Sequence, residues 1–270
     1  MKKTIFAALA LAAAGSTLAA ATNPLAYPTA PVKEKSPYTY ELGFATHRET
    51  YQEFEAGDKL MQEEALMTVI KGSIARNIGT TGGKVILAGE FGVGHANYTG
   101  AYWGGRYGDL VMVDLGRRLF EVTGMYKQTA PAWNGLAVGA GLGYRRLVDN
   151  LQQGGPGGYQ RINDRTYLVL ALEQGIDFPL WNVKPGVQYK HILSSKQKSE
   201  GLLGGVDVTQ RHGHGAEASI AITQKGPSYN VVITPYVRVW TMGDSEVHRL
   251  GVYEPRNTTR EAGLSVAYQF

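Results

Sequence analysis

The chain has 270 residues, of which 43% are hydrophobic and only 19% charged, and it is rich in glycine (35) and tyrosine (16). This surplus favours an all-β chain with many turns over a helical one. There is no cysteine, which excludes disulfides, thiol catalysis and cysteine-ligated metals. The formal charge of +4 is not gathered into a basic face, so nucleic acid is not an expected partner.

The first 21 residues have the three parts of a secretory signal peptide. Lys2 and Lys3 form a basic start, TIFAALALAAAG is apolar, and STLAAA ends in small residues suited to cleavage. We predict a signal peptide over residues 1–21, a disordered periplasmic leader over 22–36 and a folded domain over 37–270. Beyond the signal peptide, no apolar run approaches the roughly 20 residues of a membrane-spanning helix.

From residue 37 onward, apolar and polar residues alternate in ten segments. In PYTYELGFA, the residues Tyr38, Tyr40, Leu42 and Phe44 fall on one face. A period of two indicates a β-strand, and NGLAVGAGLGYRR repeats it with glycines on the opposite face. Most segments run for about 9 to 16 residues, enough to cross a bilayer at a tilt.

The connections between these segments differ in length. Short turns such as GTTGG, PLWN and KGPS follow the second, sixth and eighth strands, whereas longer polar loops follow the odd-numbered strands, among them HRETYQEFEAGDKLMQEE and SSKQKSEGLLGGVDVTQ. Long loops on one side with mostly short turns on the other are typical of outer-membrane barrels. The sequence therefore predicts an all-β, ten-stranded antiparallel up-and-down transmembrane β-barrel. The alternative, a soluble β-sandwich, needs neither such long strands nor this asymmetry.

The last strand, GLSVAYQF, places Leu264, Val266, Tyr268 and Phe270 on one face. It resembles the C-terminal signal by which the barrel-assembly machinery recognises bacterial outer-membrane proteins. The resemblance implies a Gram-negative outer membrane, with that machinery and periplasmic chaperones as partners during biogenesis. Segments such as YGDLVMVDLGRRL, YLVLALEQGIDFPL and EPRNTTREAGLSVAYQF also resemble a group of small proteobacterial outer-membrane barrels. This second resemblance implies fold and location only, and no enzymatic motif accompanies it.

If the apolar faces meet lipid, the alternate residues line the lumen, and many of them are charged. The predicted lumen charge network consists of Glu41, Lys71, Glu90, Asp114, Arg118, Arg145, Glu173, Lys190, Glu217, Arg238 and Glu261. A ten-stranded barrel is only slightly wider than the eight-stranded kind that side chains fill, so we expect these charges to pair and plug it. In the fourth strand the same period places Leu115 and Leu119 toward lipid. Aromatic residues near the predicted turns are expected to form a periplasmic girdle: Phe120, Trp133, Phe178, Trp181 and Phe270.

Histidines are the candidates for metal binding or catalysis. His212 and His214 share one strand face, but a closed zinc site has about four ligands and no third one follows in sequence. His47, Asp244 and His248 would form an acid/histidine group if neighbouring strands brought them together. No signature of omptin proteases or lipid A deacylases is present. We expect no metal, no cofactor and no enzymatic activity, with a rim-sited hydrolase of lipid A or peptide as an alternative.

The loops contain aromatic side chains among glycines and charges, a composition suited to recognition of another surface. These residues are Tyr51, Phe54, Tyr98, Tyr102, Trp103, Tyr107, Tyr159 and Tyr253. Packing of the loops on one another is the alternative. The predicted function is a monomeric outer-membrane barrel with a structural or surface-binding, adhesin-like role; a narrow channel is the alternative. Outer-membrane lipid, lipopolysaccharide and an external ligand at the loops are the expected partners.

Overall fold

β-Strands make up nearly all regular structure in the computed structural model, which describes residues 36–79, 82–101, 105–130, 135–155 and 158–270. Ten strands are long: β1 (Tyr38–Glu55), β2 (Asp58–Ile78), β3 (Gly83–Gly100), β4 (Leu110–Ala130), β5 (Leu136–Asn150), β6 (Gln160–Gln174), β8 (Trp181–Glu200), β10 (Gly213–Gln224), β11 (Asn230–Met242) and β12 (Arg256–Gln269). Two short strands, β7 (Ile176–Asp177) and β9 (Val206–Gln210), pair with β8. Two 3-10 turns, Leu151–Gly154 and Leu202–Gly204, lie between strands. No helix among the described residues is long and apolar enough to span a membrane.

The ten long strands form one closed antiparallel barrel, as predicted. Each pairs with the next long strand in the chain, and β12 returns to pair with β1, where Leu42 lies opposite Tyr268. The last residue is also held at this seam, because Phe270 N donates to Tyr40 O over 3.0 Å and Tyr40 N donates to Phe270 O over 2.8 Å. Closure pairs the backbone groups that a free sheet edge would leave exposed.

The two faces of the barrel have opposite chemistry, and the arrangement is the reverse of that in a soluble barrel. Phe44 and Leu42 on the outer face are 64% and 56% exposed, whereas Arg145 and Glu49 on the inner face are each only 1% exposed. Apolar residues cover the outside and charged residues fill the inside. This inversion indicates an apolar solvent around the barrel.

Segments predicted as long polar loops are largely strand. β1 and β2 continue until Glu55 lies opposite Asp58, and only Ala56 and Gly57 make the turn, with φ of 50° and 102°. Positive φ at both central residues is characteristic of a tight type I′ hairpin. The predicted loop after the seventh long strand is likewise the end of β8 paired with β9. The barrel wall therefore extends beyond its apolar belt at this end.

β4 changes face part-way along its length. Asp114 has a φ of 60°, and the β3–β4 register shifts between Ala96 and Tyr98. Such a bulge inserts an extra residue, after which the inward and outward positions exchange. Leu115 and Leu119 are each 1% exposed inside the barrel, so the prediction that they face lipid is wrong.

Aromatic rings gather at the end of the barrel that holds Ser36 and Phe270. The rings of Tyr40 and Phe270 stack with centroids 6.0 Å apart. Further exposed aromatic residues at this end are Tyr38, Phe178, Trp181, Tyr229 and Tyr268. Phe120 faces outward in the middle of β4, opposite Phe91, so its predicted place in the girdle is wrong.

Some predictions fall outside the described residues. They are the signal peptide at 1–21 and the leader at 22–36 apart from Ser36. The predicted girdle residue Trp133 and the loop residues Tyr102 and Trp103 are also outside.

Candidate functional site in the barrel interior

Charged side chains line the interior along the whole barrel and are most crowded from its middle to one rim. Of the predicted lumen network, the structure places these residues inside: Glu41, Lys71, Glu90, Arg145, Glu173, Lys190, Glu217, Arg238 and Glu261. They come from nine of the ten long strands, since each strand turns every second residue inward. The interior is therefore the place where this fold concentrates its polar chemistry.

Two predicted members of the network lie on the outer surface instead. The Asp114 side chain is 81% exposed and pairs with His95 over 2.9 Å, and Arg118 is exposed. Both predictions are wrong for one physical reason: the bulge at Asp114 reverses the parity of the rest of β4. The same reversal turns Arg117 inward, where its side chain is 1% exposed.

One group of interior charges, here called the central cluster, contains four bases and four acids. Its members are Lys71, Arg145, Lys190, Arg238, Glu90, Glu121, Glu217 and Glu261. Arg238 lies 2.7 Å from Glu217, 3.1 Å from Glu261 and 3.5 Å from Glu90. Arg145 lies 2.6 Å from Glu261 and 2.9 Å from Glu121. Each acid therefore meets at least one cation.

Aromatic side chains complete the central cluster. Tyr167 donates to Glu121 over 2.5 Å, and Lys190 Nζ lies 5.0 Å from the centroid of the Trp240 ring. Trp240 and Tyr167 also meet edge to face at 5.3 Å. Cation–π contacts and charge-assisted hydrogen bonds strengthen where water is excluded. These contacts hold the cluster in one arrangement.

A second group, here called the rim cluster, lies nearer the ends of β1 and β2 and is rich in acids. Its members are Glu49, Glu53, Glu63, Asp149, Glu254, Arg117 and Arg161. Arg117 lies 2.5 Å from Glu49 and 3.0 Å from Asp149, and it also pairs with Glu63. Arg161 reaches Glu53 over 2.8 Å and Glu63 over 2.6 Å. Four of the five carboxyl groups thus pair with these two guanidinium groups, and Glu49 also meets Arg145 of the central cluster over 3.5 Å.

The loop at 243–255 brings Glu254 into the rim cluster. Ser245 N donates to Glu254 O and Glu254 N donates to Ser245 Oγ, each over 2.8 Å, and Glu246 N bonds Thr209 O of β9 over 3.1 Å. These bonds fold the loop over the mouth and leave Glu254 only 6% exposed. Burial raises the pKa of the Glu254 carboxyl above its ordinary value, because a charged carboxylate loses its hydration there.

The other end of the interior is open. A cavity of about 430 Å³ reaches from the central cluster toward the end that holds Phe270. Lys84, Lys127, Lys184, Glu41 and Glu173 line it, and Lys127 pairs with Glu173 over 2.6 Å. This cavity, here called the vestibule, ends at the central cluster.

The candidate catalytic histidine group does not assemble. His47 is 1% exposed inside the barrel and its Nδ1 lies 2.9 Å from the Tyr236 hydroxyl. Asp244 accepts a bond from Arg256 N over 2.6 Å, and His248 is bonded within its own loop to Val252. No acid/histidine pair of catalytic geometry forms among these three residues.

Two other sets of histidines and acids were considered as metal ligands. His212 and His214 are exposed, and the His214 ring stacks on Tyr189. Inside the barrel, ligand atoms of His47, Glu49 and Glu261 lie within 4.8 Å of one another. The two carboxylates are already engaged by guanidinium groups, including that of Arg145. A metal there would compete with cations that the fold supplies.

Sequence reasoning missed most of the rim cluster. Glu49 and Glu53 continue the inward odd-numbered positions that Glu41 begins on β1. The same alternation, continued past residue 47, predicts both residues to face inward. However, HRETYQEFE is polar on both faces, which favours a loop. Glu254 carries no such signal, because it lies outside the strands.

The fold matches that of known outer-membrane proteins. The crystal structure of the outer membrane protease OmpT from Escherichia coli superposes with a TM-score of 0.59 at 12% identity, covering 88% of this chain and 98% of that one. The translocator domain of the autotransporter NalP from Neisseria meningitidis gives 0.41 at 12% identity, covering 86% and 89%. The outer membrane protein OprG from Pseudomonas aeruginosa gives 0.37 at 12%, covering 86% and 95%. No family model matches the chain, and no curated protein is similar enough to match.

The apolar outer belt of this closed barrel decides the location, and the fold is similar to that of OmpT. The chain is an outer-membrane β-barrel. In such barrels the short turns face the periplasm and the longer loops face outward, so the vestibule of this barrel opens to the periplasm and the rim cluster lies on the extracellular side. At this identity the likeness concerns the fold alone, and the protease activity belongs to OmpT.

Proposed function

We propose that this outer-membrane barrel is non-conducting and non-enzymatic, with a structural or surface-binding, adhesin-like role. The observation that carries the proposal is the set of ion pairs that cross the lumen. Arg145 on β5 reaches Glu261 on β12, and Arg238 on β11 reaches Glu90 on β3. Arg161 on β6 reaches Glu53 on β1. These strands are not neighbours, so their side chains block the path between them.

The free-energy cost of separating buried charges favours a closed lumen. An ion passing through would have to separate charges that are almost wholly buried, such as Arg238 and Glu261. Breaking a buried pair by losing one partner costs about 3–5 kcal/mol, because the other charge stays without compensation. Three carboxylates besides Glu261 also surround Arg238, so the barrier to its displacement is larger than for a single pair.

The length of the wall supports a role at the cell surface. β2 has 21 residues. At about 3.4 Å per residue and a tilt of about 40°, it rises roughly 55 Å, against an apolar belt of about 25 Å in such barrels. Exposed apolar side chains lie on the extracellular connections: Leu203, Val247 and Leu250. A rigid wall that carries such side chains suits binding of an external ligand.

Lipopolysaccharide is the proposed lipid partner. Arginines that face outward lie on the extracellular half of the barrel wall: Arg48, Arg118, Arg146 and Arg260. Guanidinium groups there suit the phosphates of lipid headgroups. The closed wall leaves no free strand edge for a second copy, which supports a monomer.

The C-terminal strand is the proposed assembly signal, read by the barrel-assembly machinery after delivery by periplasmic chaperones. The outward position of Leu264, Val266, Tyr268 and Phe270 supports it, as does the resemblance of GLSVAYQF to the C-terminal signal of bacterial outer-membrane proteins. Phe270→Ala should lower the amount of folded protein in the outer membrane, measured by fractionation and gel mobility before and after heating. Tyr229→Ala, another exposed aromatic at the periplasmic end, is the control. Normal assembly of the Phe270 variant would contradict the signal.

Conductance tests the main proposal. The refolded protein, inserted in planar bilayers, should produce no stable current steps, because the central cluster closes the lumen. Reproducible single-channel steps from the unmodified protein would replace the proposal by the channel alternative.

The hydrolase alternative needs a separate assay. Detergent-folded protein incubated with lipopolysaccharide should leave the mass of lipid A unchanged, and a peptide library should remain intact. Loss of acyl chains or cleavage of peptides would overturn the non-enzymatic part of the proposal.

A further inference from the structure

The rim cluster holds more negative charge than its own cations balance. It has five carboxyl groups and two guanidinium groups, whereas the central cluster has four of each sign. Arg165 is buried nearby and has no ion pair among the described residues. Counting Arg165 with the rim cluster still leaves two more carboxyl groups than cations. The interior therefore lacks about two positive charges at this end.

The surplus centres on Glu53 and Glu254. Tyr51 Oη lies 2.9 Å from Glu53 Oε1 and 2.7 Å from Glu254 Oε1, so the two carboxyl groups lie beside the same hydroxyl. A tyrosine hydroxyl has one proton, so it satisfies one of these acceptors at a time. Arg161 bonds Glu53, but Glu254 has no ion pair among the described residues.

Two amide oxygens beside this acid pair also have no donor. Asn257 lies directly opposite Glu53 in the β1–β12 pairing, and Gln197 donates its amide nitrogen to Glu254. Both residues are 2% exposed, yet Asn257 Oδ1 and Gln197 Oε1 have no hydrogen-bond partner among the described residues. Buried acceptors without a donor are costly, and here they accompany a surplus of negative charge. Both observations point to a missing cation.

We propose that Glu254, which no guanidinium group engages, binds a Ca²⁺ ion together with Glu53, which it shares with Arg161, and with the side-chain oxygens of Asn257 and Gln197 as further ligands. The donor set is oxygen only, which suits a hard cation and not zinc or copper. Ca²⁺ accepts carboxylates and amide carbonyls in irregular geometry and takes 6–8 ligands, so water completes its shell. Its two charges match the deficit in the rim cluster.

The ion joins two parts of the extracellular end. Glu53 belongs to β1 and Asn257 to β12, whereas Glu254 belongs to the loop 243–255 that covers the mouth. Bound Ca²⁺ therefore holds this loop against the barrel wall. The inference is independent of the proposed surface role, because a closed lumen does not require the ion.

Calorimetric titration of CaCl₂ into the EDTA-treated, detergent-folded barrel tests the proposal. The expected result is one site per chain with a Kd of about 10⁻⁴–10⁻³ M, the range of extracellular calcium modules. Glu254→Gln should weaken binding by about tenfold or more, because it removes one of two charged ligands. Glu246→Gln is the matched control, since Glu246 lies in the same loop but its side chain is 53% exposed and pairs with Arg211.

A second variant covers the case in which Glu254→Gln fails to fold. Asn257→Asp should tighten Ca²⁺ binding by roughly tenfold, since affinity grows with the number of charged ligands. If the acid pair is neutralised by a shared proton instead, the added aspartate would destabilise the barrel and Ca²⁺ would not restore it. Absence of saturable Ca²⁺ binding to the unmodified protein, or equal binding by the Glu254 and Glu246 variants, would overturn the proposal.

Discussion

The central and rim clusters are both built from carboxylate and cationic side chains, but they differ in charge balance. In the central cluster each acid meets a cation supplied by the barrel wall, and Arg238 alone contacts four carboxylates. The rim cluster has five carboxyl groups but only two guanidinium groups, and Glu254 has no ion pair among the described residues. The middle of this barrel is therefore balanced in charge by its own side chains, whereas at its extracellular mouth the carboxyl groups outnumber the cations.

The origin of the residues agrees with this contrast. All members of the central cluster belong to strands, whose positions are fixed by the backbone ladder. Glu254 is delivered by a loop, which local hydrogen bonds to Ser245 hold in place. A strand network suits a permanent plug, and a loop carboxylate suits a contact that forms or breaks with conditions.

The largest effect is expected at the hub of the central cluster. Arg238→Met should lower the free energy of unfolding by about 3–5 kcal/mol, because four carboxylates lose a buried cation. Urea unfolding in lipid vesicles, followed by tryptophan fluorescence, measures it. The control is Arg48→Met, whose exposed pair with Glu64 is worth at most about 1 kcal/mol. Equal losses in both variants would mean that the central cluster contributes no special stability.

Substitutions of the adjacent residues Arg117 and Arg118 test whether the bulge in β4 turns Arg117 into the rim cluster. Arg117→Ala should cost about 3 kcal/mol or more, because Glu49, Glu63 and Asp149 lose their shared cation. Arg118→Ala should change stability by less than about 0.5 kcal/mol, since this side chain faces outward. The same unfolding assay compares them. The opposite order would show that β4 keeps one parity throughout.

Neutralising one acid in each cluster sharpens the comparison. With EDTA present, Glu261→Gln should cost about 3 kcal/mol, since Arg145 and Arg238 lose a partner. Glu254→Gln should cost less than about 1 kcal/mol under the same conditions, because no cation depends on it. Paired unfolding curves give the difference. A larger loss from the Glu254 variant would contradict the charge surplus at the rim.

The smallest effect is expected in the periplasmic vestibule. Lys127 and Glu173 lie 2.6 Å apart, but their side chains are 19% and 29% exposed in a cavity open to water. Lys127→Met should therefore change the free energy of unfolding by about 1 kcal/mol or less. A loss as large as that of Arg238→Met would mean that the plug extends to the periplasmic end.

Most of the fold was predictable because lipid enforces strict alternation. Phe44 and Val266 face outward and Arg145 faces inward, as the period of two predicts. The prediction failed in β4, because a single residue, Asp114, adopts positive φ and reverses every later position. A bulge of this kind leaves no mark in the hydrophobic pattern until the pairing partner is known.

The candidate site was predictable only where the wall meets lipid. Residues of the central cluster such as Glu217 and Glu261 alternate with apolar neighbours, and their inward direction could be deduced. Above the apolar belt, both faces of β1 are polar, so Glu49 and Glu53 had no contrast to mark them. The charges that pair across the lumen lie on strands far apart in the sequence. No local pattern therefore predicts which acid meets which base.

Single-channel conductance in the presence of EDTA tests the central claim most directly. The unmodified barrel should remain silent, since the balanced central cluster closes the lumen without any ion at the rim. The double variant Arg145→Ala, Arg238→Ala should produce current steps, because it removes two of the long side chains that cross the lumen at the central cluster. Steady current from the unmodified barrel, with its central cluster intact, would contradict the account.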